Sequence, residues 1–160
     1  MEKSWKSISR VAPATRILVL SVLLGGGCIS VRRTGGPDPL SPAERINLGL
    51  AYEQDGKPDL ALREYERAER GGLRATAQTY QANLHAALGD TREAERAYRL
   101  ALATDPDHTM ALNNLAWLLA REGRNLMEAE SLIRHALSLN PEPREPYENT
   151  LRTVLEQQAP

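Results

Sequence analysis

The chain has 160 residues, a formal net charge of −1 and one cysteine. From Cys28 onward it carries 16 lysines and arginines against 20 acidic residues, and this negative balance argues against nucleic acid as a partner. The lone cysteine excludes an intramolecular disulfide, and the length suits one small folded domain without a second.

The first 27 residues predict an export signal. Basic residues precede the apolar run Ile17 to Leu24, and the glycines at 25–27 lead directly to Cys28. The run is far shorter than the roughly 20 residues that span a bilayer as a helix, so we do not expect a permanent transmembrane anchor.

Cys28, directly after small residues and an apolar run, resembles the lipobox of bacterial lipoproteins. That family normally has leucine three positions before the cysteine, where this chain has Gly25. The resemblance implies that the signal is cut before Cys28, that its thiol is diacylated, and that the protein is held on a membrane of the bacterial cell envelope. Ile29 in place of aspartate favours the outer membrane, facing the periplasm. The alternative is an incidental cysteine in an ordinary signal peptide or a short signal anchor.

Residues 28–40 contain glycines and prolines without apolar periodicity, which is typical of a flexible tether. Beyond them, one local pattern occurs three times, because Gly56, Gly89 and Gly123 recur at intervals of 33 and 34 residues. Each glycine is followed by two alanines seven residues apart and then by a loop position. These residues are Ala61, Ala68 and Leu73, then Ala94, Ala101 and Pro106, then Ala129, Ala136 and Pro141. This period is that of a stacked helical repeat.

Each unit is predicted to be an antiparallel pair of helices joined at its glycine. In the first unit, Arg45 to Gln54 forms one helix and Leu60 to Arg70 the other. The apolar residues expected to pack are Ile46, Leu48, Leu50, Ala51, Tyr52, Leu60, Ala61, Tyr65 and Ala68. Ser41 with Glu44, and Asp90 with Glu93, have the spacing of capping boxes. The third unit has one extra residue before Ala129, expected in its turn.

These residues resemble the tetratricopeptide repeat. Its Leu-Gly and following tyrosine are matched by Leu48, Gly49 and Tyr52, and its later small, aromatic and proline positions by Ala94, Tyr98, Ala101 and Pro106. The second unit departs from the pattern, with Gln81-Ala82 for Leu-Gly and His85 for the tyrosine. The resemblance implies an all-α, right-handed solenoid of three hairpins, at about 41–74, 75–108 and 109–143, with residues 144–160 forming a capping helix and tail.

In this family the first helices line a concave groove. Carried over to this chain, the predicted partner-contacting residues are Ile46, Leu50, Gln54, Thr79, Asn83, Asn113, Trp117 and Arg121. We expect a protein partner, either an extended peptide or an amphipathic helix, with Trp117 as a large rigid contact. The alternative for Trp117 is burial between the third unit and the capping helix. Ile46 and Leu50 stand where a carboxylate-clamp lysine and asparagine would be needed, so a chaperone-tail ligand is not expected.

The sequence shows no signature of an enzyme. The histidines at 85, 108 and 135 are isolated, so we expect no metal, and neither a phosphate-binding loop nor a nucleophile elbow is present. No cofactor and no small-molecule substrate are expected. Two functions fit: a lipid-anchored assembly factor similar to the pilotin lipoproteins of type IV pili and their secretins, or a general envelope adaptor that recruits a peptidoglycan enzyme, a protease or a secretion component.

Overall fold

The structure is a computed structural model that describes residues 40–159. The predicted signal, Cys28 and the tether up to residue 39 lie outside the described residues. Within 40–159 the chain forms seven α-helices and no strand. They are α1 (Pro42–Gln54), α2 (Pro58–Arg70), α3 (Arg74–Leu88), α4 (Thr91–Thr104), α5 (Thr109–Arg121), α6 (Leu126–Ser138) and α7 (Glu145–Gln158). None of these helices is both long and apolar enough to cross a bilayer.

The helices pair in chain order. Helix α1 packs on α2, α3 on α4, and α5 on α6, and each hairpin packs on the next through its second helix. Helix α7 contacts both α5 and α6. The prediction of an all-α array of three helical hairpins closed by a further helix is therefore confirmed.

The start of the array is capped as the sequence predicts. The Ser41 hydroxyl accepts a hydrogen bond from the Glu44 backbone N–H, and the Glu44 carboxylate accepts one of 2.7 Å from the Ser41 N–H. The capping box predicted for Asp90 is wrong. Asp90 is the N-cap of α4, but its ψ of 62° is not the extended value of a capping residue and its side chain makes no capping bond.

Residues in the turns between paired helices adopt left-handed backbone angles, which lets the chain reverse direction. Gly89 ends α3 with φ of 84°, a conformation that glycine adopts without steric cost. In the third hairpin the extra residue lies in the turn as predicted, because Asn125 precedes α6 with φ of 49°.

Small residues let the paired helices approach closely. Ala61, Tyr65 and Ala68 are fully buried in the first hairpin, as predicted. A Cβ added to Gly49 would overlap the Tyr65 ring, so this position of α1 has room for hydrogen only. Ala51 was expected to pack but is exposed, because no described helix precedes α1 to cover it.

The buried apolar residues form two clusters, which meet at α3. The amino-terminal cluster contains Ile46, Ala61, Tyr65, Ala68, Ala77 and Leu84. The carboxy-terminal cluster runs from Ala82 on α3 to Val154 on α7 and includes Leu112, Leu115 and Leu119 of α5. Helix α3 therefore contributes to both clusters and joins the first hairpin to the rest of the array.

Candidate functional site

The first helices of the hairpins carry the predicted contact residues. Leu50, Asn83 and Asn113 are partly exposed. Gln54 on α1 and Arg121 on α5 are exposed, as is Trp117. Six of the eight predicted positions thus keep surface that a partner could reach.

The two other predicted contact residues, Ile46 and Thr79, belong to the interior. Ile46 is 6% exposed and packs in the amino-terminal cluster. Thr79 is fully buried, and its hydroxyl donates a 2.8 Å hydrogen bond to the Ala75 carbonyl. Their burial leaves these two side chains little surface for the partner contact that the sequence predicts.

Asn83 is the centre of a polar network that joins three helices. Its Oδ1 accepts hydrogen bonds of 2.7 Å from the Tyr98 hydroxyl and 2.8 Å from Nδ2 of Asn114. Asn113 extends the network, since its Nδ2 donates a 3.0 Å bond to Oδ1 of Asn114. The network therefore fixes α3, α4 and α5 relative to one another at the middle of the predicted groove.

One atom of this network has no partner within the described residues. Oδ1 of Asn113 is buried and accepts no hydrogen bond. A buried acceptor without a donor costs free energy, commonly about 1–3 kcal/mol.

Trp117 and Arg121 lie on the next two turns of α5 after Asn113. Trp117 is 42% exposed, and the guanidinium carbon of Arg121 lies 4.7 Å from the centre of its ring. This is cation–π geometry, which holds the indole in place while part of it stays accessible. The alternative prediction, that Trp117 is buried beneath the capping helix, does not hold.

Burial raises the pKa of the Tyr98 phenol to about 12, although the nearby charge of Arg121 acts in the opposite direction. Tyr98 is therefore a neutral hydrogen-bond donor at physiological pH. Sequence reasoning placed Tyr98 only as a packing aromatic and did not select Asn114 at all. The adjacent pair Asn113-Asn114 was the available signal, because consecutive amides on one helix reach different neighbours.

His108 and His135 each contact residues of neighbouring helices or turns. His108 is the N-cap of α5: its Nδ1 accepts a 3.3 Å hydrogen bond from the Ala111 N–H, and its Nε2 lies 3.3 Å from the Thr76 hydroxyl. His135 lies on α6, with Nε2 2.9 Å from an Asp107 carboxylate oxygen. In residues 40–159, no three or more His, Cys, Asp or Glu side chains are grouped so that they could hold a metal ion.

Comparison with known proteins agrees with this geometry. Residues 79–142 match the family model described as Tetratricopeptide repeat. The first tetratricopeptide domain of Spaghetti, solved bound to an HSP90 peptide, superposes with a TM-score of 0.66 at 23% identity, covering 75% of this chain and 97% of that one. A tetratricopeptide repeat protein from Parabacteroides merdae gives 0.63 at 28% identity, over 76% of this chain and 47% of that one. This chain has the tetratricopeptide repeat fold.

Curated relatives of the repeats are much longer proteins. The match to Protein O-mannosyl-transferase Tmtc1 of Drosophila melanogaster is 35% identical over 106 residues, 60% of this chain but 12% of that protein. Tetratricopeptide repeat protein 8 of Homo sapiens is 42% identical over 62 residues, 39% of this chain and 11% of that protein. The chain thus spans less than a fifth of the length of either relative.

Proposed function

We propose that this chain is a lipid-anchored scaffold of the bacterial cell envelope that binds a protein partner in the groove of its tetratricopeptide repeats. The observation that carries the proposal is the row of accessible side chains on successive first helices. It runs from Gln54 on α1 through Asn83 on α3 to Trp117 on α5. A protein of the same fold, Spaghetti, was solved bound to an HSP90 peptide, which supports a polypeptide as the partner.

The groove chemistry favours a neutral or weakly charged polypeptide. Its middle offers the amides of Asn83 and Asn113, and its far end offers the indole of Trp117. Amides hydrogen-bond a peptide backbone, and a partly exposed indole gives a large contact at low entropic cost. Leu50 adds an apolar contact at the amino-terminal end.

The anchor is the part of the proposal that rests on sequence alone. Acyl chains on Cys28, each contributing ~0.8 kcal/mol per buried methylene, would hold the domain at a membrane through the segment 29–40. With this anchor, tether and groove, the finer proposal is that the protein assists type IV pilus or secretin assembly.

Site-specific photocrosslinking in the native envelope tests the proposal. A benzoyl-phenylalanine placed at exposed Gln54 reports on the groove, and the same probe at exposed Glu66 on α2 is the matched control. We expect a crosslinked partner from position 54 only, and its loss when Trp117 is also changed to alanine. Identical products from both positions would count against the groove. A secretin subunit as the partner would support the finer proposal, whereas a cell-wall enzyme would favour the adaptor function.

A further inference from the structure

The cation at the far end of the predicted groove has hydrogen-bonding capacity that the protein does not use. Among the eight contact residues predicted from the sequence, Arg121 is the one charged side chain. Its side chain is 40% exposed, and its ion-pair contact with Glu122 spans 3.6 Å, which is too long for a hydrogen bond. Within residues 40–159 the guanidinium of Arg121 therefore donates no hydrogen bond to an acceptor.

Other arginines of the array do use their donors. Arg96, Arg99, Arg124 and Arg134 each hold a carboxylate oxygen within 2.6–3.1 Å. They lie on α4, on α6 and in the turn before α6, and each forms an ion pair at hydrogen-bond distance. Arg121 differs from these four because an aromatic ring holds its guanidinium in place of an acid.

The contact with Trp117 positions the guanidinium without using its donors. The guanidinium carbon lies 4.7 Å from the centre of the indole ring, and the attraction acts between the positive charge and the face of the ring. A guanidinium that is already positioned loses less conformational entropy when it binds a carboxylate. Trp117 itself is 42% exposed, so apolar surface is accessible beside the charge.

The charge of Arg121 also reaches the polar network of the groove. Burial raises the pKa of the Tyr98 phenol to about 12, and the charge of Arg121 acts in the opposite direction. The guanidinium therefore lies within electrostatic range of the phenol that donates to Asn83. Arg121 is thus near the amides in the middle of the predicted groove, although it stands in the last turn of α5.

We propose that the far end of the groove takes an acidic side chain of the partner, with an aliphatic residue next to it. The carboxylate accepts two hydrogen bonds from Arg121, which is the geometry that a planar guanidinium favours. The aliphatic side chain packs on the exposed part of Trp117. The inference rests on the proposed function, because it assigns a chemistry to one end of the same groove.

The acidic group is a side chain within the bound segment and not a chain end. Helix α7 packs on α5 and α6, so the array continues beyond Arg121 and a segment does not have to end there. The clamp by which some tetratricopeptide domains bind a terminal carboxylate is also missing, since Ile46 and Leu50 occupy the positions of its lysine and asparagine.

Titration with capped peptides tests this contact. The full chain carries Trp5→Phe, so that Trp117 is its one tryptophan and fluorescence reports on the site. The probe is acetyl-Ala-Leu-Glu-Leu-Ala-amide, and the matched peptide has glutamine in place of glutamate. We expect the glutamate peptide to bind about three- to tenfold more tightly at low salt. Added salt should reduce this preference, because it screens exposed charges.

Four variants assign the preference to Arg121. Arg121→Gln should abolish it, and Arg121→Lys should retain only part of it, because lysine keeps the charge without the planar pair of donors. Glu122→Gln should strengthen binding of the glutamate peptide by up to about fivefold, since a competing carboxylate is removed. Arg63→Gln, at an exposed position of α2, makes the same change of charge away from the first helices and should leave the preference unchanged.

Equal affinities of the two peptides would overturn the inference, and so would a preference that survives Arg121→Gln or unchanged Trp117 fluorescence with both peptides. Tighter binding of acetyl-Ala-Leu-Ala-Leu, which has a free terminal carboxylate, would show that the site takes a chain end instead. Photocrosslinking from position 54 separates these failures from failure of the proposed function. A crosslink of equal yield in the parent chain and in Arg121→Gln would keep the groove and exclude the acidic contact.

Discussion

The hydroxyl of Tyr98 donates a 2.7 Å hydrogen bond to Oδ1 of Asn83, so a buried phenol of α4 holds in place an amide of the predicted groove. Asn114 of α5 donates to the same oxygen. Asn83 is therefore a structural residue as well as a candidate contact, and its replacement affects folding before it affects any partner.

Asn83→Ala should destabilise the protein. It leaves the Tyr98 hydroxyl and Nδ2 of Asn114 without their acceptor, and each such loss costs about 1–3 kcal/mol. Urea unfolding followed by circular dichroism measures the change. Asn47→Ala, at an exposed position of α1, is the control and should change the free energy of unfolding by less than about 0.5 kcal/mol. Equal effects of the two substitutions would contradict the role of the network.

Alkaline pH should weaken the fold through its buried tyrosines. Burial raises the pKa of Tyr98 to about 12, from about 10 in an unfolded chain, and burial together with the hydrogen bond to Glu53 raises the pKa of Tyr65. The neutral phenols are favoured in the folded state, so their contribution is complete below pH ~10. It is lost as pH rises through the folded pKa values, by up to about 1.4 kcal/mol per pH unit for each group.

In Tyr98→Phe the free energy of unfolding should fall less steeply with pH, because a phenol with a raised pKa is removed. Absorbance at 295 nm during a pH titration, read beside the free energy of unfolding at each pH, measures both effects. If the phenylalanine variant lost stability as steeply as the parent chain between pH 10 and 12, Tyr98 would not be the cause.

Glu128→Gln should lower stability slightly at neutral pH and have no effect in acid. The hydrogen bonds from Arg99 hold the pKa of Glu128 below its usual range, so the contribution is present above the unfolded carboxyl pKa and disappears as pH falls through the folded one. Both partners are more than a third exposed, and the expected loss is only about 0.5 kcal/mol at pH 7.

Thermal unfolding at low and high salt measures this difference, because salt screens exposed charges. Glu66→Gln, at an exposed site on α2, is the control and should behave as the parent chain does. A difference between Glu128→Gln and the parent that grows with added salt would exclude the ion pair as the cause.

Cys28→Ala should release the protein from the membrane fraction. Loss of the thiol removes the site of acylation, and the remaining apolar run is too short to span a bilayer. Partitioning into the detergent phase, with Ser30→Ala as a neighbouring control, measures the change. Detergent partitioning that is the same with and without the cysteine would refute the anchor.

The repeat itself was predictable because its signals are local. Glycines that turn the backbone and alanines that permit close approach must recur wherever the same hairpin is built, and the three hairpins follow that spacing. The predicted capping box at Asp90 failed because spacing identifies candidate caps and leaves the backbone torsion open.

The contact residues of the groove were less predictable, because the position of a residue within the repeat does not determine whether its side chain is buried. Ile46 and Thr79 hold groove positions in the repeat numbering, yet both side chains are buried. The hydrogen bonds of Asn83 come from two other helices, so no local pattern contains them.

The two clusters of buried apolar residues divide the array unequally. Within residues 40–159 the amino-terminal cluster has six buried residues and the carboxy-terminal cluster has sixteen, so local opening of the first hairpin is expected to cost less free energy than opening of the helices that follow.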